Sequence, residues 1–565
     1  MNLNIKNLLA IIFLVFFAAT LYILTLRGAP GNPDPLTIKS LMEGDTKPME
    51  LSPERGRFAH VMALGDYGTY ALPQVLADFV YPDVGFYQDR YYSFFAPGVS
   101  YMAVPFYNLG KLYDLSQVFT FALVSLVSIG AMIFMFLIAR QIFKLSLWAS
   151  IFAPLIFAFG SSAWSYAITL YQHHFAVFFF MAGFYAAWAY GKNTKWSWVW
   201  GFVPWISYAA AFTVDYPNLL FLLPMMIYFF MQAWKLQKNN IFWRISFRSS
   251  FILVSIGFII ITAWHLNFNA INFGGWQKLS GTLTSYRKLE FTPVINEHIA
   301  ATTTIYSTTT TIPNAMAPKG GTFTLVTATS TTVTSIVIAT TTATTTTFIT
   351  TINVTNIALK EELQKNAIGY FLETKFPFGA YILLVSSERG LFVFWPIIIF
   401  SFVGIYEAFK HHKAEVSALI GGISANMFLY FSWGDPWGGW AFGPRYMILS
   451  IAILSLFVSY SMARGGLQRR IEIFILFAYS SFISLIGALT TNAIPPMAEA
   501  IPLAADYTYF RNMSFFIEGK SGSFFYNAYA NVYLSLQEYG LIIYLSLLLV
   551  VAFVLFVMPK LKHAN

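Results

Sequence analysis

The uninterrupted apolar run LLAIIFLVFFAATLYILTL (Leu8–Leu26) decides the class of fold that this chain adopts. A helix needs about 20 apolar residues to cross the hydrocarbon core of a bilayer, and this run has that length and carries no charge. Lys6 precedes the run and Arg27 follows it, without a small-residue cleavage site. We therefore expect a retained first membrane span and not a signal peptide that is removed.

The whole chain, like this first run, is rich in apolar residues and poor in charged ones. Hydrophobic residues make up 57% of the 565 positions, and charged residues only 10%. A soluble domain cannot bury so large an apolar fraction, so the composition predicts a multi-spanning membrane protein. The chain has no cysteine, which excludes disulfides, thiolate chemistry and cysteine ligands for a metal.

Further apolar runs of spanning length recur along the chain, and we predict an all-α polytopic membrane protein with about 12 transmembrane helices. Loops and interfacial helices are expected on its outer face. The predicted spans are 8–26, 118–139, 148–170, 173–190, 196–214, 217–234, 250–267, 391–409, 415–432, 446–463, 471–489 and 540–558.

The cations of the connecting loops fall on one side of this arrangement. The positive-inside rule makes that side cytoplasmic, so both termini are predicted on the cytoplasmic side of the cell membrane. The net charge of +9 then reflects orientation in a bilayer and not binding of nucleic acid. The loop cations are Lys6, Arg140, Lys144, Lys192, Lys195, Lys235, Lys238, Arg244, Arg248, Lys410, Lys413, Arg464, Arg469, Arg470, Lys560 and Lys562.

Long segments fall on the outer side, and they divide the chain. We expect an N-terminal transmembrane module (1–267) that contains a first outer loop (27–117). A second outer loop (268–390) follows, and then a C-terminal transmembrane module (391–565) with a third outer segment (490–539).

The second outer loop contains a threonine-rich insert, 302–355. Its β-branched residues fit a pleated sheet and partly alternate with period two, which favours a small β-rich element. A disordered, O-glycosylated stalk is the competing interpretation of the same composition. Lys319 is its only charge, so we expect the insert to lie outside any catalytic cavity.

The first outer loop carries the stretch SPERGRFAHVMALGDYGTY (Ser52–Tyr70), with two arginines, two acids and a histidine. Pro53 suits a first helical turn and Ser52 an N-cap. From Pro53 to Leu64 the apolar residues lie mostly on one helical face and the charged ones on the other. That pattern predicts an interfacial helix on the outer surface.

Several motifs occur in order on the predicted outer side. They are Glu-x-x-Arg-Phe-Ala from Glu54, Gly-Thr-Tyr at 68–70, Tyr-Tyr-Ser-x-x-Ala-Pro-Gly at 91–98, TVDYPNLL (213–220), HLNFNAINFGG (265–275), SSERGLFVFWP (386–396) and WGGWAFGPRYMI (437–448). This order resembles the C-type (GT-C) glycosyltransferases, especially the aminoarabinose transferases of lipid A and the protein mannosyltransferases. The likeness covers most of the chain outside 290–370.

The resemblance implies transfer of a sugar from a polyprenyl-phosphate donor, such as dolichyl phosphate, outside the cytoplasm. The acceptor would be a lipid, glycan or protein. A carboxylate would take the proton of the attacking hydroxyl, and a single displacement would invert the anomeric configuration. By resemblance that base is Glu54. Asp83 and Asp89 are the alternative bases, and a site without any base is the third possibility.

The resemblance also implies residues that bind the donor. Relatives place a lysine in the block before Pro97, where this chain has Phe94 and Phe95. Arg90 or Arg445 could replace that lysine; otherwise the donor site differs or catalysis has been lost. The candidates for binding the donor phosphate or sugar are Arg57, Arg90, Tyr92, His173, His174, Asp215, Arg389, Asp435, Trp437 and Arg445.

Structural roles compete with these assignments. His173 and His174 could be interfacial residues or the rim of an active site; a divalent cation there would need further ligands. Asp215 could cap a helix. Arg57 could pair with Glu54 on one helical face, and Arg389 with Glu388. The tryptophans around 433–440 could form an interfacial belt.

Two other functions remain open at this point. Twelve spans with both termini inside also suit a transporter or lipid flippase, although almost no charge lies within a span. An inactive GT-C relative that binds lipid-linked sugar is the other alternative, since the phosphate-binding lysine is missing.

Overall fold

The structure is a computed structural model of the full chain. It describes residues 4–35, 49, 51–192, 194–238, 243–248, 250–288, 337–342, 345–350, 358–361 and 375–561.

The described residues form mainly helices. In chain order these are α1 (Ile5–Thr25), α2 (Ser52–Tyr67), α3 (Gln74–Val80), α4 (Gly98–Lys111), α5 (Ser116–Leu137), α6 (Leu147–Phe159), α7 (Ala163–Ala167), α8 (His173–Gly191), α9 (Ser197–Val214), α10 (Asn218–Ala233), α11 (Ser250–Val254), α12 (Ile256–Phe273), α13 (Phe376–Leu384), α14 (Leu391–Phe394), α15 (Ile399–Phe409), α16 (Lys413–Phe431), α17 (Ile448–Arg464), α18 (Leu467–Leu489), α19 (Met497–Ala500), α20 (Phe510–Ile517), α21 (Phe524–Ala528), α22 (Leu536–Ala552) and α23 (Met558–Leu561). Segments Ile138–Ile142 and Phe553–Val557 are π-helical.

Eight of the described helical segments are long and apolar enough to cross a membrane. They are Ile5–Thr25, Ser116–Ile142, His173–Gly191, Ser250–Phe273, Lys413–Phe431, Arg445–Arg464, Leu467–Leu489 and Leu536–Lys560. Three shorter apolar helices (Leu147–Phe159, Asn218–Ala233 and Pro396–Phe409) and α9 occupy the remaining predicted spans. The prediction of an all-α polytopic membrane protein is therefore confirmed.

The predicted span 148–170 is wrong in its length. Helix α6 has 13 residues and ends at Gly160, so it rises only about 20 Å against a hydrocarbon core of about 30 Å. Ser161 Oγ donates to the carbonyl of Phe157 (2.7 Å) and accepts from Ala163 N (3.2 Å). These side-chain bonds favour a turn over continued helix at this point.

Helix α2 is a core helix and not the interfacial helix that its pattern predicted. Its polar residues Glu54, Arg57 and His60 are as buried as its apolar residues, since α2 lies against α4 and against the chain that precedes α4. Ser52 is also not the N-cap: the cap position is Leu51, and Ser52 begins the helix. Gly68 in the left-handed region (φ 64°) ends it.

A small antiparallel sheet ties the first two outer segments together. Strands β1 (Val84–Tyr87) and β2 (Arg90–Ser93) form a hairpin, and β5 (Thr284–Lys288) and β8 (Ala358–Glu361) extend it in the order β2-β1-β5-β8. The hairpin turn has positive φ at Gln88 (47°) and Asp89 (57°), as a two-residue turn that matches strand twist requires.

Two further strand pairs complete the described β structure: β3 (Trp234–Lys238) with β4 (Trp243–Phe247), and β6 (Val337–Thr342) with β7 (Thr345–Thr350). The second pair lies inside the threonine-rich insert and agrees with the β-rich interpretation for those residues. The rest of 302–355, including Lys319, lies outside the described residues.

Candidate active site

Arg57 is held in place by its own helix and by the loop that follows β2. Its Nη1 donates to the carbonyl of Pro53 (3.0 Å), and its guanidinium lies 4.7 Å from the centroid of the Phe95 ring. Gly56 permits this approach, because a Cβ there would lie 2.6 Å from Phe95 Cδ2. Burial lowers the pKa of Arg57 to about 10, so the side chain is still charged at neutral pH.

His60 locks the hairpin onto helix α2. Its Nδ1 donates to the carbonyl of Tyr70 (3.0 Å), and its Nε2 accepts from Ser93 N (3.1 Å). Its ring stacks on that of Tyr70 at 4.0 Å. Burial lowers the pKa of His60 to about 3, which keeps the ring neutral and fixes this tautomer.

Asp215 lies in the short turn between α9 and α10. It does not cap α10, whose N-cap is Pro217; instead its Oδ2 accepts from Gln172 Nε2 (3.2 Å). Burial raises the pKa of Asp215, while attraction to Arg57 first and Arg445 second opposes that rise. Asp215 is also the carboxylate with the largest electrostatic effect on Arg57.

Arg445 approaches the same place from the glycine-rich turn before α17. Its Nη2 donates to the carbonyl of Gly438, and its guanidinium lies 5.4 Å from the Tyr446 ring and 5.7 Å from the Tyr171 ring. Gly438 has φ of 71°, and a Cβ there would lie 2.9 Å from Arg445 Nε. The glycine therefore makes room for the guanidinium.

A small cavity adjoins these charges. It is lined by Gln172, His173, Ala176, Asp215, Asn218, Phe221, Asn426, Tyr430, Tyr446 and Leu449, and its volume of about 10 Å³ admits about one water molecule. His174 points elsewhere and donates from Nε2 to the carbonyl of Ala163 (2.8 Å). Nowhere in the described parts of the chain do three His, Cys, Asp or Glu side chains assemble as metal ligands.

Three guanidinium donors around Asp215, namely Arg57 Nε, Arg445 Nε and Arg445 Nη1, have no hydrogen-bond partner among the described residues, and neither does the ring nitrogen His173 Nε2. No ion pair within 4.0 Å joins either arginine to a carboxylate in that part of the chain. A buried donor without a partner costs about 1–3 kcal/mol, and more when charged. An anion between the two arginines would satisfy these donors. We name Arg57, His173, Asp215 and Arg445 the buried cluster.

Glu54 adjoins the buried cluster from the side of α2. Its side chain is fully buried, and it acts electrostatically on both Arg55 and Arg57. The alternative base Asp83 acts on Arg55, and more strongly than Glu54 does. Both Arg445 and Glu54 act electrostatically on Arg57, Arg445 more strongly than Glu54.

Asp89 and Arg90 are exposed at the hairpin turn, and no described hydrogen bond or ion pair joins them to the buried cluster. Arg90 interacts with Tyr92, whose ring is buried against Tyr70 (6.1 Å) and Phe273 (5.3 Å). Arg90, one of the two candidates for replacing the missing lysine, therefore lies at an exposed turn and does not line the small cavity.

The side chain of Arg389 is buried and holds several backbone carbonyls together. Its guanidinium donates to the carbonyls of Glu388 (2.9 Å), Trp437 (3.3 Å), Gly439 (3.4 Å) and Ile494 (2.8 Å). Glu388 acts electrostatically on Arg389, but among the described residues no ion pair within 4.0 Å joins them, and Glu388 Oε2 accepts from Met497 N (2.7 Å). Asp435 Oδ2 accepts from Gly439 N (2.7 Å), which fixes the same turn. These residues shape the turn that carries Arg445.

Sequence reasoning missed other residues around the cavity. Asn426 is the clearest: it is a buried amide within a span, and such polar residues are functional candidates by default. It donates to the carbonyl of Tyr446 (3.2 Å) and accepts from Ser450 (2.7 Å). Phe95, which contacts Arg57, gave no signal of its own.

No family model and no curated protein matches the sequence. Among solved structures the fold is similar to ArnT from Cupriavidus metallidurans bound to undecaprenyl phosphate, with a TM-score of 0.44 and 12% identity over 96% of this chain and 76% of that one.

It is also similar to the oligosaccharyltransferase of Archaeoglobus fulgidus, in the apo form and, as AglB, in complex with an inhibitory peptide and a dolichol-phosphate. Both comparisons have a TM-score of 0.40 and 11% identity, over 93% and 94% of this chain. The chain spans 59% and 60% of the length of these two structures.

Proposed function

We propose that the chain transfers a sugar from a polyprenyl-phosphate donor to an acceptor on the extracytoplasmic face of the membrane, and that the transfer inverts the anomeric configuration. One observation carries the proposal: two buried arginines, Arg57 and Arg445, have guanidinium nitrogens without a hydrogen-bond partner among the described residues, and both act electrostatically on Asp215, which lines the small cavity. Neither is within ion-pair distance of a carboxylate among the described residues. Two guanidinium groups suit a phosphate, which they bind through several charged hydrogen bonds.

The phosphate would lie between Arg57 and Arg445, with the lipid tail among the helices. His173 Nε2 and the Tyr446 ring border the same space. The departing lipid phosphate gains negative charge as the sugar leaves, and fixed cations stabilise that charge. The sugar itself does not fit the small cavity, so the site must open to admit it.

Two carboxylates qualify as the base that takes the proton of the acceptor hydroxyl. Glu54 is the one that the resemblance implies, and it is fully buried beside Arg57. Asp215 is the one that lines the cavity, and its raised pKa suits proton uptake. Conversion of each to its amide assigns the role.

The first experiment measures binding of undecaprenyl phosphate to the purified full chain by native mass spectrometry. We expect Arg57→Met and Arg445→Met each to weaken binding at least tenfold, because each removes charged hydrogen bonds worth about 1.5–3 kcal/mol. Arg469→Met is the matched control, since Arg469 pairs with Glu407 at the predicted cytoplasmic end. Unchanged binding by both folded variants would overturn the phosphate assignment.

The second experiment supplies the wild type with polyprenyl-phosphate hexoses and an acceptor that carries a hydroxyl group. It measures the rate at which the sugar leaves the lipid phosphate. Glu54→Gln or Asp215→Asn should reduce turnover at least about a hundredfold, the weight of a general base, while binding of the lipid phosphate persists. A wild type that binds undecaprenyl phosphate but releases no sugar would identify an inactive GT-C relative instead.

A further inference from the structure

An open apolar groove lies far from the buried cluster, between the first helix, α6 and the end of the last long helix. Its volume is about 480 Å³. Its walls include Ala10 and Phe13 of α1, Leu147 and Ile151 of α6, and Phe553 and Val554 of the π-helical segment. We name it the terminal groove.

The terminal groove and the buried cluster lie at opposite ends of the helices. Helix α1 has 21 residues and so rises about 31 Å from Ile5 to Thr25. Beyond its far end Arg27 N donates to the carbonyl of Ile168, close in sequence to Tyr171 and Gln172 of the site. Lys6, which lines the groove, is therefore about one hydrocarbon thickness away from the buried cluster.

Two cations stand at the open end of the terminal groove. Lys6 is exposed and is the only charged residue among the described residues that line it. Arg140 Nε donates to Asn7 Oδ1 (3.2 Å), and Arg140 Nη1 donates to the carbonyl of Leu145 (2.6 Å). In the described chain neither cation has a carboxylate within ion-pair distance.

The π-helical segment Phe553–Val557 forms part of the groove wall through Phe553 and Val554. Phe553 remains half exposed (49%), and so do Leu9 (59%) and Leu549 (71%) beside it. In a membrane such a surface is covered by an acyl chain.

We infer that the terminal groove binds an anionic glycerophospholipid. One acyl chain fills the apolar walls, and the phosphate lies at Lys6 and Arg140. The apolar lining accounts for the chain, and the two unpaired cations account for the preference for an anionic headgroup, since a Lys or Arg near an anionic membrane surface contributes about 1 kcal/mol. The predicted cytoplasmic leaflet supplies the lipid.

The test reconstitutes the full chain in a mixture of phosphatidylcholine and phosphatidylglycerol and then extracts it in mild detergent. Native mass spectrometry identifies the lipid that stays bound to the protein. The wild type should retain phosphatidylglycerol preferentially. Lys6→Glu should lower its retention about fivefold or more relative to phosphatidylcholine. Lys195→Glu, an equally exposed lysine of a loop at the same membrane end, should change nothing.

A second variant tests the walls independently of charge. Ala10 is buried in the groove (5% exposed), so Ala10→Trp should fill it and expel the lipid although both cations remain. If Ala10→Trp does not fold, Lys6→Glu decides alone, because Lys6 is at the surface. Equal retention of both lipids by the wild type, or wild-type retention by Lys6→Glu, would overturn the inference.

Discussion

Burial lowers the pKa of both Arg57 and His60, yet at neutral pH Arg57 is a cation and His60 is neutral. The pKa of Arg57 falls to about 10 and leaves it a cation. The pKa of His60 falls to about 3 and leaves it neutral. One residue can thus bind an anion while the other, one turn away, only fastens the hairpin to helix α2.

Because His60 is buried and neutral in the fold, the free energy of unfolding depends on pH. The unfolded His60 binds a proton below about pH 6.5, whereas the folded one does not until about pH 3, so stability falls as the pH drops through this window. The slope from this group is at most about 1.4 kcal/mol per pH unit.

We expect His60→Gln to show a shallower loss of melting temperature than the wild type between pH 6.5 and 5, measured in mild detergent. His411→Gln, at an exposed histidine, should keep the wild-type slope. Identical slopes for the wild type and His60→Gln would show that His60 is not buried and neutral.

The stack of Arg57 on Phe95 makes a second prediction at this scale. Phe95→Ala removes a cation–π contact worth about 0.5–2 kcal/mol and leaves the guanidinium less well placed. Binding of undecaprenyl phosphate should weaken about two- to thirtyfold. Phe95→Tyr keeps the ring and should bind like the wild type; equal weakening by both would refute the role of the ring.

At the scale of elements, the turn 433–446 owes its shape to a clamp and to glycines. Arg389 binds carbonyls of Trp437 and Gly439 from outside the turn, and Asp435 binds Gly439 N from within. Gly438, Gly439 and Gly443 all have φ near +60 to +70°, which suits glycine. The clamp and the glycines together hold the turn in the shape that places Arg445 beside Tyr446, which lines the cavity.

Arg389→Lys should loosen this turn, since an ammonium group cannot reach four backbone carbonyls at once as a guanidinium does. Each buried carbonyl left without a donor costs about 1–3 kcal/mol, so the melting temperature should fall. Amide exchange should rise within 433–446, and binding of undecaprenyl phosphate should weaken in parallel. Weaker binding without faster exchange would mean that Arg389 contacts the phosphate itself.

At the scale of the whole molecule, buried charge is concentrated at one end of the helices. Among the described residues the buried arginines and glutamates, Arg27, Glu54, Arg57, Glu388, Arg389 and Arg445, all belong to segments outside the spans or at their ends. The middle of each described span contains no Asp, Glu, Lys or Arg. This distribution suits chemistry at a membrane surface better than a path for a solute across the bilayer.

The threonine-rich insert makes a prediction at this scale. Strands β5 and β8 pair within the sheet that starts at the hairpin 84–93, so the insert leaves and rejoins the protein at a fixed base. Replacement of 302–355 by a short Gly/Ser linker keeps both strands, and a longer or shorter loop costs little.

We expect this variant to keep the melting temperature and the affinity for undecaprenyl phosphate of the wild type, and to retain transfer to a small acceptor. Substitution of Tyr286–Lys288 by proline and glycine would disturb the base and serves as the contrasting variant. A well-folded linker variant that loses transfer would place the insert in the active site.

The sequence by itself determined the membrane class, the number of apolar segments and the existence of helix α2. These follow from run length and from the absence of charge, which are local properties. The periodicity of 53–64 also indicated a helix correctly, but it could not say that both faces of that helix are buried. That depends on the hairpin and α4, which pack over its polar side.

Only the tertiary structure decided which polar residues meet. Arg57, Asp215 and Arg445 come from a core helix, a turn between spans and a glycine-rich turn, and nothing in their local sequence fixes the distances between them. Arg389 donates to four backbone carbonyls, whereas Arg445 Nε and Nη1 have no hydrogen-bond partner among the described residues. Partners of a side chain are set by packing between segments distant along the chain, and local patterns carry no record of that packing.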